Sequence, residues 1–259
     1  MTAPVTWTCR TVVTVAAAGV PLATVLADPT IARAVARKLE PVSIRVPGGR
    51  SLRAVLALPE DRPSGAVLLI HDGWGLTDQM QAVAAELAGE GHAALAVDLM
   101  NGAVATTPAE AGQLAASIRP DQVRESVGAS IEWLKAQDFS TGKVATIGWC
   151  LGGGWSLQAS LAVPVDATVI YDCEGPDDPA ALSAVKGPVL GHFGTAVGGV
   201  PTDMVQRFDN ALTRAGKMHI LHRYDAGHGF ANPTGNNYDR KDARLAWTRT
   251  LEFLKANLR

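Results

Sequence analysis

The stretch "IGWCLGGGW", residues 147–155, places a single cysteine, Cys150, at the centre of a G-x-C-x-G pattern. An apolar strand pattern ends just before it, and an apolar helix pattern begins at Leu151. This is a nucleophile-elbow pattern in which cysteine replaces serine: Gly148 and Gly152 leave room for a tight turn, and the helix N-terminus favours a thiolate. We therefore predict that Cys150 is a nucleophile. The alternative is a small buried residue in a Gly-rich turn.

Strand and helix patterns alternate on both sides of this junction. The runs "AVLLIH" (66–71) and "AALAVDL" (93–99) are short and apolar, as buried strands are. "VSIRV" (42–46) and "SLRAVLAL" (51–58) flank "PGGR", which predicts a β-hairpin. A hairpin followed by this alternation predicts an α/β fold with a mostly parallel central sheet and helices on both faces. Ligands bind beyond the carboxyl ends of such strands, so we expect the functional residues there.

Composition excludes several classes of function. The chain has 259 residues, 47% of them hydrophobic and 19% charged, which fits one globular domain. A net charge of −2 and the lack of a basic run give no basis for binding nucleic acid. No apolar stretch is long enough to predict a membrane span. The widely spaced Cys9, Cys150 and Cys173 argue against a disulfide framework and a zinc site. A monomer and a small homo-oligomer both remain open.

The first 40 residues are predicted to form a segment apart from the main domain, residues 41–259. Thr11–Ala27 carries no charge and resembles the apolar part of a twin-arginine export signal, but Cys9 replaces the first arginine of that motif. A cytoplasmic location is therefore favoured, and export remains the alternative. "DPTIARAVARKL" (28–39) predicts a helix with one apolar face.

His228 is the predicted general base. A nucleophilic cysteine needs a histidine partner, and in α/β-hydrolases that histidine lies between the last strand and the C-terminal helix. Of the six histidines, His228 in "YDAGHGFANP" has this position, with a glycine on each side. The alternative is an ordinary surface residue on a loop.

The landmarks of the chain, taken in order, resemble the dienelactone hydrolase family. They are "IHDGWGL", "VDLMNG", "IGWCLGGGW", "VIY", "GHFGT" and "GHGFANP". The resemblance runs from about Val42 to Leu258 and implies an α/β-hydrolase fold without metal or organic cofactor. It implies hydrolysis of a small ester or lactone through an acyl-enzyme, with Cys150 as nucleophile and His228 as base. The N–H groups of Leu151 and Gly73 would hold the oxyanion.

The acidic residues depart from the family pattern. Asp72 stands where the family usually has a glutamate that is thought to interact with the resting thiol. It is one methylene shorter, and the alternative is a plain turn residue in "HDGW". The triad acid is missing, because Val197 occupies its expected position. We hypothesise that Asp172, directly after the strand "ATVIY", compensates; the alternative, slightly favoured by sequence alone, is a solvated loop carboxylate.

The specificity residues depart as well. Members specific for the anionic dienelactone hold its carboxylate with arginines, but Met100 and Asn232 stand near the corresponding positions. A more apolar pocket is expected instead, built from Trp74, Met100, Trp149 and Phe230, although for any single one of them plain core packing is the favoured alternative. Val197 also supports a second candidate function, a ligand-binding protein with impaired or lost turnover. A thiol-based redox protein is a minor third candidate.

Overall fold

The computed structural model describes residues 28–259. The possible export segment, Thr11–Ala27, lies outside the described residues, so its role and the choice between cytoplasm and export stay predictions. No helix between residues 28 and 259 has the length and apolar character needed to cross a membrane.

One eight-stranded sheet organises the described chain, in the order β1-β2-β4-β3-β5-β6-β7-β8. β1 pairs antiparallel with β2, β2 pairs antiparallel with β4, and all later neighbours are parallel. The mostly parallel sheet and the N-terminal hairpin are therefore confirmed. The strands are β1 Glu40–Arg45, β2 Ser51–Ala57, β3 Ser64–Ile70, β4 Ala93–Asp98, β5 Ser140–Trp149, β6 Ala167–Tyr171, β7 Val189–Gly194 and β8 His219–Tyr224.

Helices cover both faces of this sheet, as predicted. Alternate residues of β3 point to opposite faces: Val67 and Leu69 pack with α1, α2 and α7, whereas Leu68 and Ile70 pack with α4. α5 and α6 lie on the α4 face. The helices are α1 Pro29–Ala36, α2 Asp78–Gly89, α3 Pro108–Ser117, α4 Pro120–Lys135, α5 Leu151–Ala162, α6 Thr202–Arg214 and α7 Arg240–Asn257.

The predicted N-terminal helix is present as α1 and packs into the main core. Asp28 caps it by accepting a hydrogen bond from the Thr30 N–H at 2.8 Å. Its apolar face, with Ala32, Val35 and Leu39, is buried in the same cluster as α2 and α7. This helix thus shares the core of the sheet domain, and the predicted boundary after residue 40 stays a prediction.

Candidate active site

Cys150 occupies a sharp turn between β5 and α5. Its backbone has φ 51° and ψ −114°, which is unusual for a residue with a side chain. A Cβ on Gly148 would overlap the carbonyl of Gly152, and a Cβ on Gly152 would overlap the carbonyls of Ile70 and His71. Both glycines are therefore required by the close approach of the backbone, as the sequence pattern predicts. The turn has the backbone geometry of a nucleophile elbow.

The elbow opens on a cavity of about 590 Å³ beyond the carboxyl ends of the central strands. Most of the predicted site residues line it together: Asp72, Gly73, Trp74, Trp149, Cys150, Leu151, Asp172 and His228. They come from loops that are far apart in sequence and are joined by the sheet. The roles assigned to them remain predictions, but their shared cavity makes those roles geometrically possible.

The environment of Cys150 favours the neutral thiol. Burial raises the pKa of the thiol, and the nearby carboxylates of Asp72 and Asp172 raise it further. A hydrogen bond from the Leu151 N–H lowers this pKa, as expected at a helix N-terminus, but does not outweigh burial. At neutral pH the resting sulfur is therefore protonated, so the predicted role as a nucleophile requires a base that takes up this proton.

Asp172 is a buried carboxylate, so the interpretation as a solvated loop residue is wrong. Its side chain is 4% exposed, and its backbone has a left-handed φ of 48°. Oδ1 accepts a hydrogen bond from the Gly194 N–H at 2.7 Å, and Oδ2 accepts one from the Gly229 N–H at 2.8 Å. Burial raises the pKa of Asp172, whereas these N–H groups and His228 lower it. Asp172 thus links the last residue of β7 to the loop that carries His228.

The position of His228 is set by hydrogen bonds to the backbone of its loop. In the described part of the chain, no carboxylate lies within 4.0 Å of its ring nitrogens. Its carbonyl accepts a hydrogen bond from Asn237 Nδ2 at 2.9 Å, and the next residue, Gly229, donates to Asp172. The loop also packs tightly, because a Cβ on Gly194 would overlap the carbonyl of Gly227. Asp172 therefore positions the loop and supplies a nearby charge without contacting the ring.

Asp72 forms the predicted turn, and its carboxyl also lies near the Cys150 thiol. Oδ1 accepts a hydrogen bond from the Trp74 N–H at 2.9 Å, which is the turn role. The carboxyl also lines the cavity beside Cys150, and burial raises the pKa of Asp72 to about 6 although His228 lowers it. This carboxyl therefore changes protonation close to the thiol within a physiologically relevant range of pH.

Sequence reasoning missed His71, a buried residue directly before the cavity-lining Asp72. Its Nδ1 lies 2.7 Å from the Asp72 carbonyl, and its Nε2 accepts a hydrogen bond from the Leu99 N–H at 3.1 Å. These partners require a neutral ring with the proton on Nδ1, in keeping with burial that lowers the pKa of His71. The ring joins the loops after β3 and β4. A histidine directly after an apolar strand is the signal that could have revealed it.

A buried polar chain supports the aromatic floor from below, and sequence reasoning missed it as well. Trp149 stacks on Tyr171 with ring centroids 5.2 Å apart. The Tyr171 hydroxyl lies 2.7 Å from Thr250 Oγ1, which lies 3.1 Å from His192 Nε2, and His192 Nδ1 lies 2.8 Å from the Tyr224 hydroxyl. Burial lowers the pKa of His192 well below its usual value, so this ring is neutral. These hydrogen bonds join β6, β7, β8 and α7 beneath the cavity-lining Tyr171.

Three predicted positions lie elsewhere. Val197 is fully exposed and does not line the cavity, so an aspartate on this loop as it stands would face solvent. Met100 is buried outside the cavity lining, and its predicted pocket role is wrong. Phe230 is also outside it: the ring is fully buried and stacks on Tyr224 with centroids 4.8 Å apart. Its sequence position beside His228 gave no information on the direction of its side chain.

The apolar wall comes instead from two helices. Met80 and Val83 of α2 and Ala243 and Trp247 of α7 line the cavity. Part of the buried face of α2 borders this cavity, and no sequence motif marks it. Among residues 28–259, no cluster of three or more His, Cys, Asp or Glu side chains is arranged to hold a metal ion.

The fold and the elbow define an α/β-hydrolase, and the relatives define the family more narrowly. The model of the dienelactone hydrolase family matches residues 52–258. Carboxymethylenebutenolidase of Pseudomonas sp. is 31% identical over 226 residues, which cover 83% of this chain and 94% of the relative. Carboxymethylenebutenolidase 1 of Cupriavidus pinatubonensis is 28% identical over 217 residues, with 80% and 92% covered. The chain belongs to the dienelactone hydrolase family.

Solved structures agree on the fold. Dienelactone hydrolase from Anabaena variabilis superposes with a TM-score of 0.65 at 24% identity, covering 85% of this chain and 98% of that chain. A dienelactone hydrolase-like promiscuous phosphotriesterase from metagenomic libraries superposes with a TM-score of 0.75 at 21% identity, covering 85% and 99%. The predicted family and fold are thus confirmed.

Proposed function

We propose that this protein hydrolyses small carboxylic esters or lactones through an acyl-enzyme on Cys150. The observation that carries the proposal is the strained backbone of Cys150 at the mouth of a cavity that His228 also lines. Strain of this kind is maintained where it presents a nucleophile. The family membership supports ester or lactone chemistry, since the named relatives are carboxymethylenebutenolidases.

The chemistry runs in two steps. His228 accepts the thiol proton as the Cys150 sulfur attacks the substrate carbonyl, and the N–H groups of Leu151 and Gly73 stabilise the oxyanion. The tetrahedral adduct collapses when the bond to the alkoxide breaks and His228 returns its proton to that oxygen. Water then attacks the thioester carbonyl while His228 accepts a proton, and the thiol leaves as the acid forms. In a lactone, the alkoxide and the acid belong to one molecule.

Cys150→Ala tests this proposal. We expect it to abolish hydrolysis of short p-nitrophenyl esters, because alanine leaves no nucleophilic side chain at the elbow. Cys150→Ser is the matched control for shape, and iodoacetamide should label Cys150 in the wild type. Mass spectrometry after rapid quenching should find one acyl group on the peptide that contains Cys150. Full activity in the alanine variant would refute the proposal.

A second candidate function is ligand binding with little turnover. It is favoured by the lack of a carboxylate within 4.0 Å of the His228 ring in the described part of the chain, and by the exposure of Val197. A burst of one nitrophenolate per protein without later turnover would support this candidate. Steady turnover, with several equivalents released, would support the hydrolase.

A further inference from the structure

The cavity continues from the reacting cysteine into a cleft between helices α2 and α7, both of which line it. α2 connects the end of β3 to the start of the parallel strand β4, so it runs from the carboxyl ends of the strands toward their amino ends. α7 runs the same way, because it begins after the loop of His228 and is followed by Leu258, which lies against Gly65 near the start of β3. The two helices therefore form walls that lead away from Cys150.

This α2–α7 cleft has apolar walls and a closed far end. Val83 of α2 and Ala243 of α7 line its walls. Glu86 and Trp247, each about one helical turn further along, line it as well. Burial raises the pKa of the Glu86 carboxyl, and contact with the Trp247 side chain partly offsets this rise, so the two side chains meet across the cleft. The indole Nε1 is closed to solvent, which indicates that the cleft ends at this pair.

The dimensions of the cleft suit a chain much longer than an acetyl group. A rise of ~1.5 Å per residue carries the α2 wall about 10 Å from Gln79, near the start of the helix, to Glu86. With C–C bonds of about 1.5 Å in a zigzag, an extended chain of about eight carbons spans the same length. The whole cavity, about 590 Å³, has the size of pockets that enclose small organic ligands.

We propose that the α2–α7 cleft binds the acyl chain of the substrate, and that the substrates are carboxylic esters with an uncharged, apolar acyl chain of about six to eight carbons. The proposal rests on the proposed function for the reacting end. The alcohol leaves for solvent before water attacks the thioester, whereas the acyl group stays on Cys150, so a cleft with a closed end suits the acyl group. A carboxylate at the end of the chain would meet the charge of Glu86 away from bulk water.

A series of p-nitrophenyl esters from acetate to dodecanoate, each kept below its critical micelle concentration, tests the cleft in the wild-type protein. Each methylene that enters the cleft should raise kcat/KM about two- to fourfold, because its transfer out of water is favourable. Beyond about eight carbons the rise should stop or reverse, since Glu86 and Trp247 close the far end. A flat or falling kcat/KM from acetate to octanoate, or a steady rise to dodecanoate, would overturn the proposal.

Ala243→Phe fills part of the cleft from the α7 wall. The ratio of kcat/KM for octanoate to that for acetate should fall about tenfold, the loss expected when two methylenes no longer enter the cleft. Leu245→Phe is the matched control, because it adds an aromatic ring to the same helix at an exposed position outside the cavity lining. If the two variants give the same ratio, the cleft does not bind the acyl chain.

Glu86→Ala should have the opposite effect, because it removes the carboxyl from the closed end. The ratio of kcat/KM for dodecanoate to that for octanoate should rise about fourfold or more as at least one further methylene enters. Glu90→Ala is the control, since it removes the same side chain from an exposed position directly after α2, outside the cavity lining. Equal ratios in the two variants would contradict the assignment of Glu86 to the end of the cleft.

The cleft and the proposed function fail in different ways. Calorimetric titration of the Cys150→Ala variant with butanamide, hexanamide and octanamide measures binding of the chain without turnover. If the esters are not hydrolysed, but the affinity rises about two- to fourfold per methylene and Ala243→Phe removes this rise, the cleft stands and the hydrolase proposal falls. If the esters are hydrolysed through Cys150 without a preference for chain length, and the titration shows none, the hydrolase stands and the cleft falls.

Discussion

Asp172→Asn removes a charge from beneath the His228 loop while keeping the shape of the side chain. The two carboxylate oxygens each accept a backbone hydrogen bond, from Gly194 at 2.7 Å and from Gly229 at 2.8 Å. The amide of asparagine has only one acceptor oxygen, so its NH₂ group must face one of these N–H donors. One hydrogen bond is lost, and a buried donor is left unpaired at the loop that positions the base.

The magnitude follows from these contacts. An unpaired buried donor costs roughly 1–3 kcal/mol, and His228 becomes a cation during the reaction without the nearby negative charge. If about 1.4–2.7 kcal/mol of this loss appears in the transition state, kcat/KM falls about 10- to 100-fold. This is smaller than the ~10⁴-fold loss on removing a triad acid that contacts the histidine directly, because Asp172 does not touch the ring.

The pH dependence of stability gives a second readout. Burial raises the pKa of Asp172, so the folded protein binds this proton more tightly than the unfolded chain does. The pKa of Asp172 is higher in the folded protein than in the unfolded chain. As the pH rises from the lower of these two pKa values through the higher one, ionisation of Asp172 lowers the stability of the folded protein. Asparagine cannot ionise. The variant should be less stable than the wild type at acid pH, and this deficit should narrow or reverse at pH 8.

The assay combines a pH profile of kcat/KM on a p-nitrophenyl ester with urea unfolding at acid pH and at pH 8. Glu174→Gln is the control, since it removes an exposed carboxylate from the same loop. Loss of activity with a changed pH profile, together with a stability deficit that is larger at acid pH than at pH 8, is expected for Asp172→Asn and not for Glu174→Gln. An Asp172→Asn protein with unaltered turnover and an unaltered pH profile would refute its role in positioning His228.

Three further predictions concern the elbow and its surroundings. Gly148→Ala should abolish activity and destabilise the protein by several kcal/mol in urea unfolding, because the added Cβ overlaps backbone, whereas Gly154→Ala in the open part of α5 should stabilise it by up to ~1 kcal/mol. Asp72→Asn should lower the pKa of Cys150, seen as faster iodoacetamide labelling at neutral pH, by removing a repelling charge; unchanged labelling would contradict the proximity. Val197→Asp should leave kcat/KM within about twofold of the wild type, because this exposed side chain faces solvent, and a tenfold gain would show that the loop rearranges toward the site.

The elbow could be predicted from sequence because everything it needs is local. Gly148 and Gly152 stand two residues on either side of Cys150, and the apolar strand and helix patterns adjoin them. The overlaps that require both glycines arise within the turn and with the neighbouring strand β3. His228 could be predicted for a different reason. Its loop follows the last parallel strand, so it lies at the carboxyl ends of the strands, as Cys150 does.

The environment of Asp172 could not be predicted in this way. Three carboxylates, Glu174, Asp177 and Asp178, follow it closely in sequence, which favours exposure. Its side chain is instead bound by the N–H groups of Gly194, at the end of β7, and of Gly229, in a later loop. The helix residues that line the cavity could not be predicted from sequence for a related reason. Met80 and Trp247 lie far apart in sequence, on α2 and α7, and meet at the cavity only in the folded chain. Burial of a polar group by distant segments leaves no periodic signal.

These contacts indicate how His228 keeps its place although Val197 stands where the acid is expected. A triad acid that contacts the imidazole both orients the ring and places a negative charge beside it. In this protein, backbone contacts hold the loop, and carboxylates that do not touch the ring supply the nearby charge. Asn237 and Asp172 hold the backbone on either side of the ring, and the carboxylates of Asp172 and Asp72 lie close enough for His228 to lower their pKa values. The same two carboxylates raise the pKa of Cys150. Because burial and these carboxylates raise the pKa of Cys150, the proposed attack on the substrate requires that the thiol proton be transferred during the attack rather than before it.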